Sequence, residues 1–358
     1  MRFISLHCIQ PKAILAKPIL GPAGQILLNA GVAMEPNYLH RLAELGIPGA
    51  YVHDPLSEGV EVINAISDEL RMHAIKNISN TYSKAEEGKA QSQASGYEMR
   101  NIAENIVEEV INHGDTMLNL FDMKVYDSYT FFHCVNVTVL SVIIGLGMNF
   151  PKNKLINLAH AALLHDLGKV FIPPEIINKP GKLTDDEFEI VKRHPQEGYD
   201  YIKEMFANSI TESIAVGVLD HHERVNGSGY PSGKNEREIC DIGRAIAIAD
   251  VYDAFISDRP YRKGTYSVAA MEYIMGGGGT YFDYSMVQVF SRKVALFPVG
   301  TCVLLSNNTS ALVLENYEGF THRPRIKVFR KDSEDIDPYE INLKEEARDI
   351  TIITSVDI

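Results

Sequence analysis

Two short segments of this chain concentrate residue types that bind metal ions. One holds His165 and Asp166 in the sequence His-Asp-Leu-Gly-Lys, and the other holds His221 and His222, followed by a glycine-rich turn that ends at Pro231. Neighbouring residues on a helix point in different directions. His165 can therefore face one metal while Asp166, whose carboxylate has two oxygens, reaches between two. The two segments together predict a site for a pair of metals.

The region between residues 126 and 258 contains further potential ligands. In chain order the metal-capable residues are His133, His160, His165, Asp166, His194, His221, His222 and Asp250. Imidazole and carboxylate donors favour iron, manganese or zinc over calcium. Asp250 lies in an apolar helical segment, where a carboxylate needs a cation or hydrogen bonds, and Asp253 one turn later is a candidate partner. His160 is five residues before His165, on another helix face, and is interpreted as a buried histidine outside the site.

Helical patterns surround these residues. They predict helices at 128–148, 154–167, 184–194, 210–222 and 242–257. Gly168 has the position of a helix stop, and Thr184 with Glu187 forms a capping-box signature. Residues 60–81 and 101–122 are amphipathic and predict connecting helices. These helices either cover the core or also pair between two subunits.

The two ends of the chain have a different character. Residues 1–60 alternate short β-type runs with one helical pattern at 36–45, and residues 296–358 contain short apolar runs separated by turns. We therefore predict a mainly α catalytic domain, a helical bundle, with a small α/β module before it and a small β appendage after it. The predicted boundaries are 1–60 for the module, 61–124 for the connecting helices, 125–295 for the catalytic domain and 296–358 for the appendage.

Composition restricts the class of protein. The chain has 358 residues and a formal net charge of −13, which argues against binding to nucleic acid polymers. Its four cysteines form no CxxC pair, so neither a disulfide framework nor a zinc-thiolate site is expected. The sequence predicts no membrane span and no signal peptide, and the expected location is the cytoplasm.

The motifs resemble those of a known family. His165-Asp166 with Leu-Gly-Lys169, the His221-His-Glu-Arg run, Asn226-Gly-Ser-Gly-Tyr-Pro231 and the segment 257–262 (Ser-Asp-Arg-Pro-Tyr-Arg) occur in the order seen in the HD-GYP branch of the HD-domain phosphohydrolases. The resemblance covers residues 125–295 approximately. It implies a helical HD core with two, sometimes three, metals, commonly iron or manganese.

The implied activity is a metal-dependent phosphodiesterase. Members of the family hydrolyse cyclic di-GMP to pGpG or GMP, and we expect a hydroxide shared by two metals to attack the phosphorus. The resemblance implies the metal ligands His133, His165, Asp166, His194, His221, His222 and Asp250. The resemblance also implies that Lys169 contacts the scissile phosphate and that Asp166 and Lys169 are the catalytic residues. The other implied substrate contacts are Gly229, Tyr230, Pro231, Arg259 and Arg262.

Two positions depart from the family pattern. Three-metal members have a glutamate four residues before the first histidine, and this chain has Tyr129 there, which favours two metals. Asn226 stands where aspartate is frequent, and both residues fit a tight turn.

The four glycines at 276–279 lack the lysine and the preceding strand of a phosphate-binding loop. They therefore predict a flexible hinge rather than a phosphate site.

Two other functions fit the same residues. The metal core could act on another nucleotide, such as 3′,3′-cGAMP. The chain could instead be a sensor that binds a cyclic dinucleotide, or changes iron redox state, without turnover and signals through the connecting helices. Product analysis over a substrate panel distinguishes the first case, and tight binding without hydrolysis distinguishes the second.

Overall fold

The computed structural model describes residues 1–21, 25–89, 93–113, 129–206, 210–256 and 267–357. In these ranges a small α/β module is followed by a helical body and then by an antiparallel β-sheet, which confirms the predicted fold class. Arg259 and Arg262 lie outside the described residues.

The amino-terminal module has its own small core. Its elements are β1 (Arg2–Ser5), β2 (Ile14–Leu15), β3 (Ile19–Leu20), β4 (Ile26–Leu28), α1 (Pro36–Glu44) and β5 (Gly49–His53). Strand β5 pairs antiparallel with β1 on one side and β2 on the other, while β3 and β4 form a separate pair. Leu15, Met34 and Leu42 are buried between the sheet and α1.

The helical body carries the predicted ligands. Its helices are α2 (Asp68–Glu86), α3 (Gln93–Asn112), α4 (Tyr129–Gly147), α5 (Lys152–Leu164), α6 (Pro174–Ile177), α7 (Asp185–Val191), α8 (His194–Met205), α9 (Glu212–Asp220), α10 (Asp241–Ile256), α11 (Ser267–Gly276) and α12 (Tyr284–Lys293). Helix α4 packs against α5, α10 and α12. Its segment Thr130–Gly147 is long and apolar enough to cross a membrane, and 78% of that segment is buried inside the protein.

Several predicted helix ends are confirmed and others are wrong. The Thr184–Glu187 capping box is present at the start of α7, and α8 begins at His194 with Pro195 in its first turn. Helix α5, however, ends at Leu164, and Gly168 lies in a 3₁₀ turn, Leu167–Phe171, rather than acting as a helix stop. A β-carbon on Gly168 would lie 1.9 Å from the carbonyl oxygen of His194. The glycine is therefore explained by the close approach of α8.

The connecting helices contribute to the main core. Helix α2 begins at Asp68, later than predicted, because Ser67 caps it by accepting the amide hydrogen of Leu70 at 3.3 Å. Ile75 and Ile78 of α2 and the apolar face of α3 are buried with α4 and α5. This packing accounts for the apolar faces of both helices, and pairing between subunits stays a prediction.

The carboxyl-terminal sheet is antiparallel, with strand order β10-β6-β7-β8-β9. The strands are β6 (Cys302–Leu305), β7 (Thr309–Glu315), β8 (Arg325–Lys331), β9 (Glu334–Asn342) and β10 (Ile352–Ser355). The sequence patterns did not predict β9, because this edge strand is largely exposed and carries charged residues instead of an apolar face. The turn before β6 contacts the amino-terminal module, where the Phe3 amide donates to the Gly300 carbonyl at 3.2 Å, and β6 itself contacts it through Cys302, whose Sγ accepts from Nη1 of Arg2 at 3.2 Å.

Candidate metal centre

Three histidines are oriented in the same way at helix ends. His165, His194 and His221 each place Nδ1 against the backbone carbonyl oxygen three residues earlier, at 2.8, 2.8 and 2.6 Å. A carbonyl oxygen only accepts hydrogen bonds, so Nδ1 carries the proton and Nε2 keeps a free lone pair. The Nε2 of His165 is buried and has no hydrogen-bond partner among the described residues. Such a nitrogen fits a metal ligand.

A fourth histidine is oriented by a carboxylate. His133 on α4 has its Nδ1 2.6 Å from Oδ2 of Asp253, and its Nε2 lies 3.1 Å from Oδ1 of Asp250. Burial alone would lower the pKa of His133, but its bonds to Asp250 and Asp253 raise the pKa above the ordinary value. Carboxylates that stabilise a positively charged imidazole in a buried pocket also stabilise a metal cation there.

Asp166 lies between the histidines. Its Oδ2 is 3.8 Å from Nε2 of His133 and 3.5 Å from Nε2 of His165, and its Oδ1 is 3.5 Å from Nε2 of His194. Asp166 follows the end of α5 directly, so the turn after the helix directs its carboxylate to the centre of the cluster. One carboxylate thus faces ligand atoms on both sides.

The ligand atoms divide into two adjacent groups. One group is His133, His165 and Asp250, and the other is Asp166, His194, His221 and His222; within each group the ligand atoms lie within 4.8 Å of one another. The imidazole of His222 lies 3.9 Å from Oδ2 of Asp250 and joins the two groups. All seven predicted ligands are brought together, and six of them are buried, with His222 only partly exposed.

The charges of the groups suit a divalent transition metal. Burial lowers the pKa of His194 to about 4 and also lowers the pKa values of His165, His221 and His222, so these imidazoles are neutral at pH 7. Burial alone would raise the pKa of Asp166, but the positive charge of the nearby Lys169, the largest opposing effect, holds it well below its usual value. Neutral imidazoles beside an ionised carboxylate are the donors that iron, manganese and zinc bind. The clustered residues therefore fit divalent metal binding.

Lys169 lies at the edge of the cluster. Its Nζ donates to Oδ2 of Asp166 at 2.5 Å, and its side chain is 27% exposed. The 3₁₀ turn that follows α5 brings the ammonium group back over the carboxylate. Because the Lys169 ammonium group is partly exposed to solvent, it can bind an anionic ligand while it remains beside the cluster.

The glycine-rich turn folds over His222. The ring of Tyr230 stacks on the ring of His222, with centroids 4.7 Å apart and 27° between the planes. The Tyr230 amide donates to the His222 carbonyl at 3.2 Å. Gly229 is required by space, because a β-carbon there would lie 2.4 Å from the backbone nitrogen of Arg224. The side-chain oxygen of Asn226 accepts the amide hydrogen of Ser228 at 3.0 Å, so asparagine stabilises this turn at the position where aspartate is frequent in the family.

A buried carboxylate that the sequence patterns did not single out holds this turn. Glu223 accepts the backbone amides of Ser232 at 2.8 Å and of Lys234 at 2.9 Å, and it is 2% exposed. Asp220 similarly accepts from the Lys234 side chain at 2.6 Å. The adjacency of Glu223 to the histidine pair was the available signal, since an acidic residue before a glycine-rich turn can bind its free amides.

The remaining histidine of the region stays outside the cluster. His160 is fully buried in α5, belongs to neither ligand group, and neither ring nitrogen has a hydrogen-bond partner among the described residues. Burial lowers its pKa to about 3, with a smaller effect of the Arg100 charge. The glycines at 276–279 end α11 in a hydrogen-bonded turn, in which the Gly279 amide donates to the Phe282 carbonyl at 2.8 Å.

Comparisons with known proteins agree with this architecture. The family model described as HD domain matches residues 99–286. Over 229 residues the chain is 36% identical to a cyclic di-GMP phosphodiesterase of Pseudomonas aeruginosa, a match that covers 64% of this chain and 55% of the relative. It is 41% identical over 150 residues to the cyclic di-GMP phosphodiesterase response regulator RpfG of Xanthomonas campestris, covering 41% of this chain and 38% of the relative.

A third relative has a different named substrate. It is a 3′3′-cGAMP-specific phosphodiesterase of Vibrio cholerae, 36% identical over 171 residues, with 47% of this chain and 38% of the relative covered. The matched region thus spans about half or less of the length of these curated relatives.

A solved structure shares the fold over most of the chain. It is a Bdellovibrio bacteriovorus protein described as an HDG"Y"P protein, with a TM-score of 0.50, 15% identity, and coverage of 80% of this chain and 97% of that one. At this identity the likeness concerns the fold alone. The family match, the motif order and the paired ligand groups lead to one conclusion: the chain belongs to the HD domain family, in its HD-GYP branch.

Proposed function

We propose that this protein is a metal-dependent phosphodiesterase that hydrolyses cyclic di-GMP to pGpG, GMP or both. The observation that carries the proposal is the Asp166 carboxylate, whose two oxygens face histidines of both ligand groups. Two-metal hydrolysis of phosphodiesters uses adjacent metal sites. The names of the Pseudomonas aeruginosa and Xanthomonas campestris relatives support cyclic di-GMP as the substrate.

We assign the metals to the seven residues of the two groups. His133, His165 and Asp250 would hold one ion, His194, His221 and His222 the other, and Asp166 would contribute to both. Iron or manganese suits this nitrogen and oxygen donor set. When bound, such a pair supplies Lewis acidity toward the phosphate and lowers the pKa of water toward neutrality.

The other assigned residues act on the substrate. Lys169 binds a non-bridging phosphate oxygen and stabilises the negative charge that develops there, as a fixed cation does in a water-poor site. Gly229, Tyr230 and Pro231 shape the rim of the pocket beside His222. Arg259 and Arg262 are assigned to the second phosphate or to a guanine, because guanidinium groups bind phosphate with paired hydrogen bonds.

A second substrate has one supporting observation. The Vibrio cholerae relative is named as specific for 3′3′-cGAMP and is 36% identical to this chain over 171 residues. The same ligand groups and Lys169 would serve either cyclic dinucleotide. The choice between them therefore depends on contacts to the bases, which involve the rim of the pocket rather than the metals.

The proposed setting of the enzyme follows the predicted boundaries. We propose 1–60 as a regulatory module, 61–124 as connecting helices, 125–295 as the catalytic domain and 296–358 as an appendage, in a cytoplasmic protein. A homodimer through the connecting helices is part of this proposal and is tested by sedimentation at several concentrations.

The decisive experiment measures metal and turnover on one sample. The protein is purified anaerobically without added metal, its metals are counted by elemental analysis, and it is then incubated with cyclic di-GMP and with 3′,3′-cGAMP. About two iron or manganese ions per chain, with pGpG or GMP as product, are expected. Two metals with binding but no turnover of either dinucleotide would overturn the enzyme assignment and indicate a sensor. No bound metal, and none after addition of iron or manganese, would overturn the site.

A further inference from the structure

A buried arginine in a connecting helix has no role in the proposed chemistry. Arg71 lies in the first turns of α2 and is 3% exposed. Its Nη1 donates to Oδ1 of Asn136 at 3.0 Å, while its Nε has no hydrogen-bond partner among the described residues. Removing a guanidinium group from water is costly unless nearby groups compensate for it. A buried arginine at this place therefore indicates a specific function.

Asn136 is hydrogen-bonded to a buried carboxylate as well as to Arg71. It is fully buried on α4, three residues after His133, and its Nδ2 donates to Oδ1 of Asp253 at 3.1 Å. The guanidinium can only donate and the carboxylate can only accept, so the two neighbours fix the orientation of the Asn136 amide. An apolar residue of similar size would interrupt the chain of hydrogen bonds on both sides.

Asp253 completes the connection to a metal ligand. It is fully buried on α10, and its other oxygen, Oδ2, accepts the Nδ1 hydrogen of His133 at 2.6 Å. That bond sets the tautomer of His133 and directs Nε2 toward Asp250, 3.1 Å away. Hydrogen-bond partners of this kind orient metal-binding histidines and increase their basicity.

The first turn of α2 is itself firmly attached. Glu109 of α3 accepts from the Ser67 hydroxyl at 2.9 Å, at the residue that caps α2. Asn64 accepts from Lys17 of the amino-terminal module at 2.5 Å and donates to Asp68 at 3.3 Å. The position of Arg71 is therefore determined by both the module and the connecting helices.

We propose that Arg71 is a positioning residue that holds His133 through Asn136 and Asp253, and that α2 thereby sets the affinity of the His133, His165 and Asp250 group for its metal. This inference rests on the metal site of the proposed function, with His133 as a ligand. It assigns the connecting helix a direct influence on one of the two metals. Among the described residues no hydrogen bond or ion pair joins Arg71 to the other group, His194, His221 and His222, which keeps its affinity.

The test measures metal affinity rather than turnover. Mn²⁺ is titrated into the metal-free 358-residue chain under anaerobic conditions, and free Mn²⁺ is followed by electron paramagnetic resonance. We expect Arg71→Met and Asp253→Asn to weaken one of the two sites about 10-fold or more, within the range typical of partners of metal ligands. Arg71→Lys, which keeps a donor and the charge, recovers part of the affinity. Arg100→Met is the matched control, because it removes a partly buried ion pair with Glu104 within α3, and it leaves both sites unchanged.

A double variant separates positioning from general destabilisation. If the hydrogen-bond chain carries the effect, Arg71→Met adds little to the affinity already lost in Asn136→Leu, whereas independent effects would add. Urea unfolding of each metal-free variant shows that it is folded. Wild-type affinity at both sites in folded Arg71→Met overturns the proposal, and so does equal loss at both sites. Wild-type protein that binds two Mn²⁺ ions but hydrolyses nothing would overturn the proposed activity and leave this test intact.

Discussion

The Nε2 atoms of His194 and His221 lie 3.3 Å apart in the buried cluster. Each ring donates its Nδ1 hydrogen to a backbone carbonyl, so the facing nitrogens both present lone pairs. Two lone pairs at this distance repel each other, and a shared proton or a metal cation removes the repulsion. Burial lowers the pKa of both rings and works against a shared proton. A metal cation bound between the two nitrogens is therefore the arrangement that removes this repulsion. The effects of such a metal on stability and rate can be measured.

Substitutions at Asp166 and Lys169 are expected to separate metal binding from catalysis. Asp166→Ala removes the carboxylate that faces both ligand groups, so metal content and activity fall together. Lys169→Ala leaves the ligands in place and lowers kcat by about 100-fold, the loss typical of one charge-stabilising donor. Elemental analysis and steady-state kinetics on the same samples give both values.

The control for the lysine variant is Lys152→Ala. Lys152 forms an exposed ion pair with Glu108 at the first residue of α5, at the opposite end of that helix from His165, and its loss should leave kcat unchanged. Wild-type turnover in Lys169→Ala would remove Lys169 from the mechanism. Loss of metal in that variant would assign it to site assembly instead.

Gly168→Ala is expected to destabilise the protein and weaken metal binding. The new β-carbon would lie 1.9 Å from the His194 carbonyl oxygen and 2.5 Å from the Gly198 nitrogen, so α8 must move away. Overpacking of this kind lowers the free energy of unfolding by about 1–3 kcal/mol. Urea unfolding of metal-free protein measures the change, and Mn²⁺ titration measures the effect of moving His194.

The matched glycine control is Gly276→Ala. A β-carbon there meets nothing within 4 Å, so stability and metal affinity should match those of the wild type. Equal stability of Gly168→Ala and Gly276→Ala would show that the close approach of α8 at Gly168 is not a constraint on the fold.

Glu223→Gln is expected to raise KM with little change in metal content. Each oxygen of the carboxylate accepts one backbone amide of the glycine-rich turn. Glutamine has a single side-chain oxygen, so it can accept only one of these amides, and its NH2 group would face the other, donor against donor. The turn carries Tyr230, which stacks on His222, so its displacement alters the rim of the pocket. Kinetics with cyclic di-GMP separate KM from kcat.

The control for this variant lies in the same loop. Glu238 is exposed and accepts the Asn235 amide at 3.0 Å, so Glu238→Gln should keep the wild-type KM. A normal KM in Glu223→Gln, or an equal rise in both variants, would contradict a specific role for the buried carboxylate.

His160 is expected to make metal-free protein acid-sensitive. The folded protein keeps this ring neutral down to a pKa of about 3, whereas the unfolded chain protonates it near 6.5. The unfolded state therefore binds more protons between these values, and the free energy of unfolding falls as the pH is lowered through this window. Above pH 6.5 this contribution is constant.

His160→Leu should reduce that sensitivity. The leucine removes a buried ring without hydrogen-bond partners among the described residues, which is expected to stabilise the protein by about 1–3 kcal/mol at pH 7. The advantage over wild type should grow between pH 7 and pH 5. Urea unfolding at the two pH values measures it, and an advantage that does not grow would show that His160 is not held neutral.

The sequence by itself determined the residue types of the metal site and the class of fold. Histidine and aspartate at 165–166, the pair at 221–222 and the glycine-rich turn point to one family because their chemistry is local and their order is specific. The helical body and the terminal sheets also follow from periodicity, and the capping box at Thr184 was predicted from four residues. The edge strand β9 was missed, since its exposure leaves no apolar alternation to detect.

Only the tertiary structure decided how these residues face one another. Asp166 lies between the groups because α5 ends early, at Leu164, and not at the glycine where the sequence predicts a stop. Gly168 is required by the approach of α8, which is a contact between separate elements. Arg71, Asn136 and Asp253 are joined across separations of 65 and 117 positions. Packing of α2, α4 and α10 in one core brings them together, and local periodicity carries no information about such contacts.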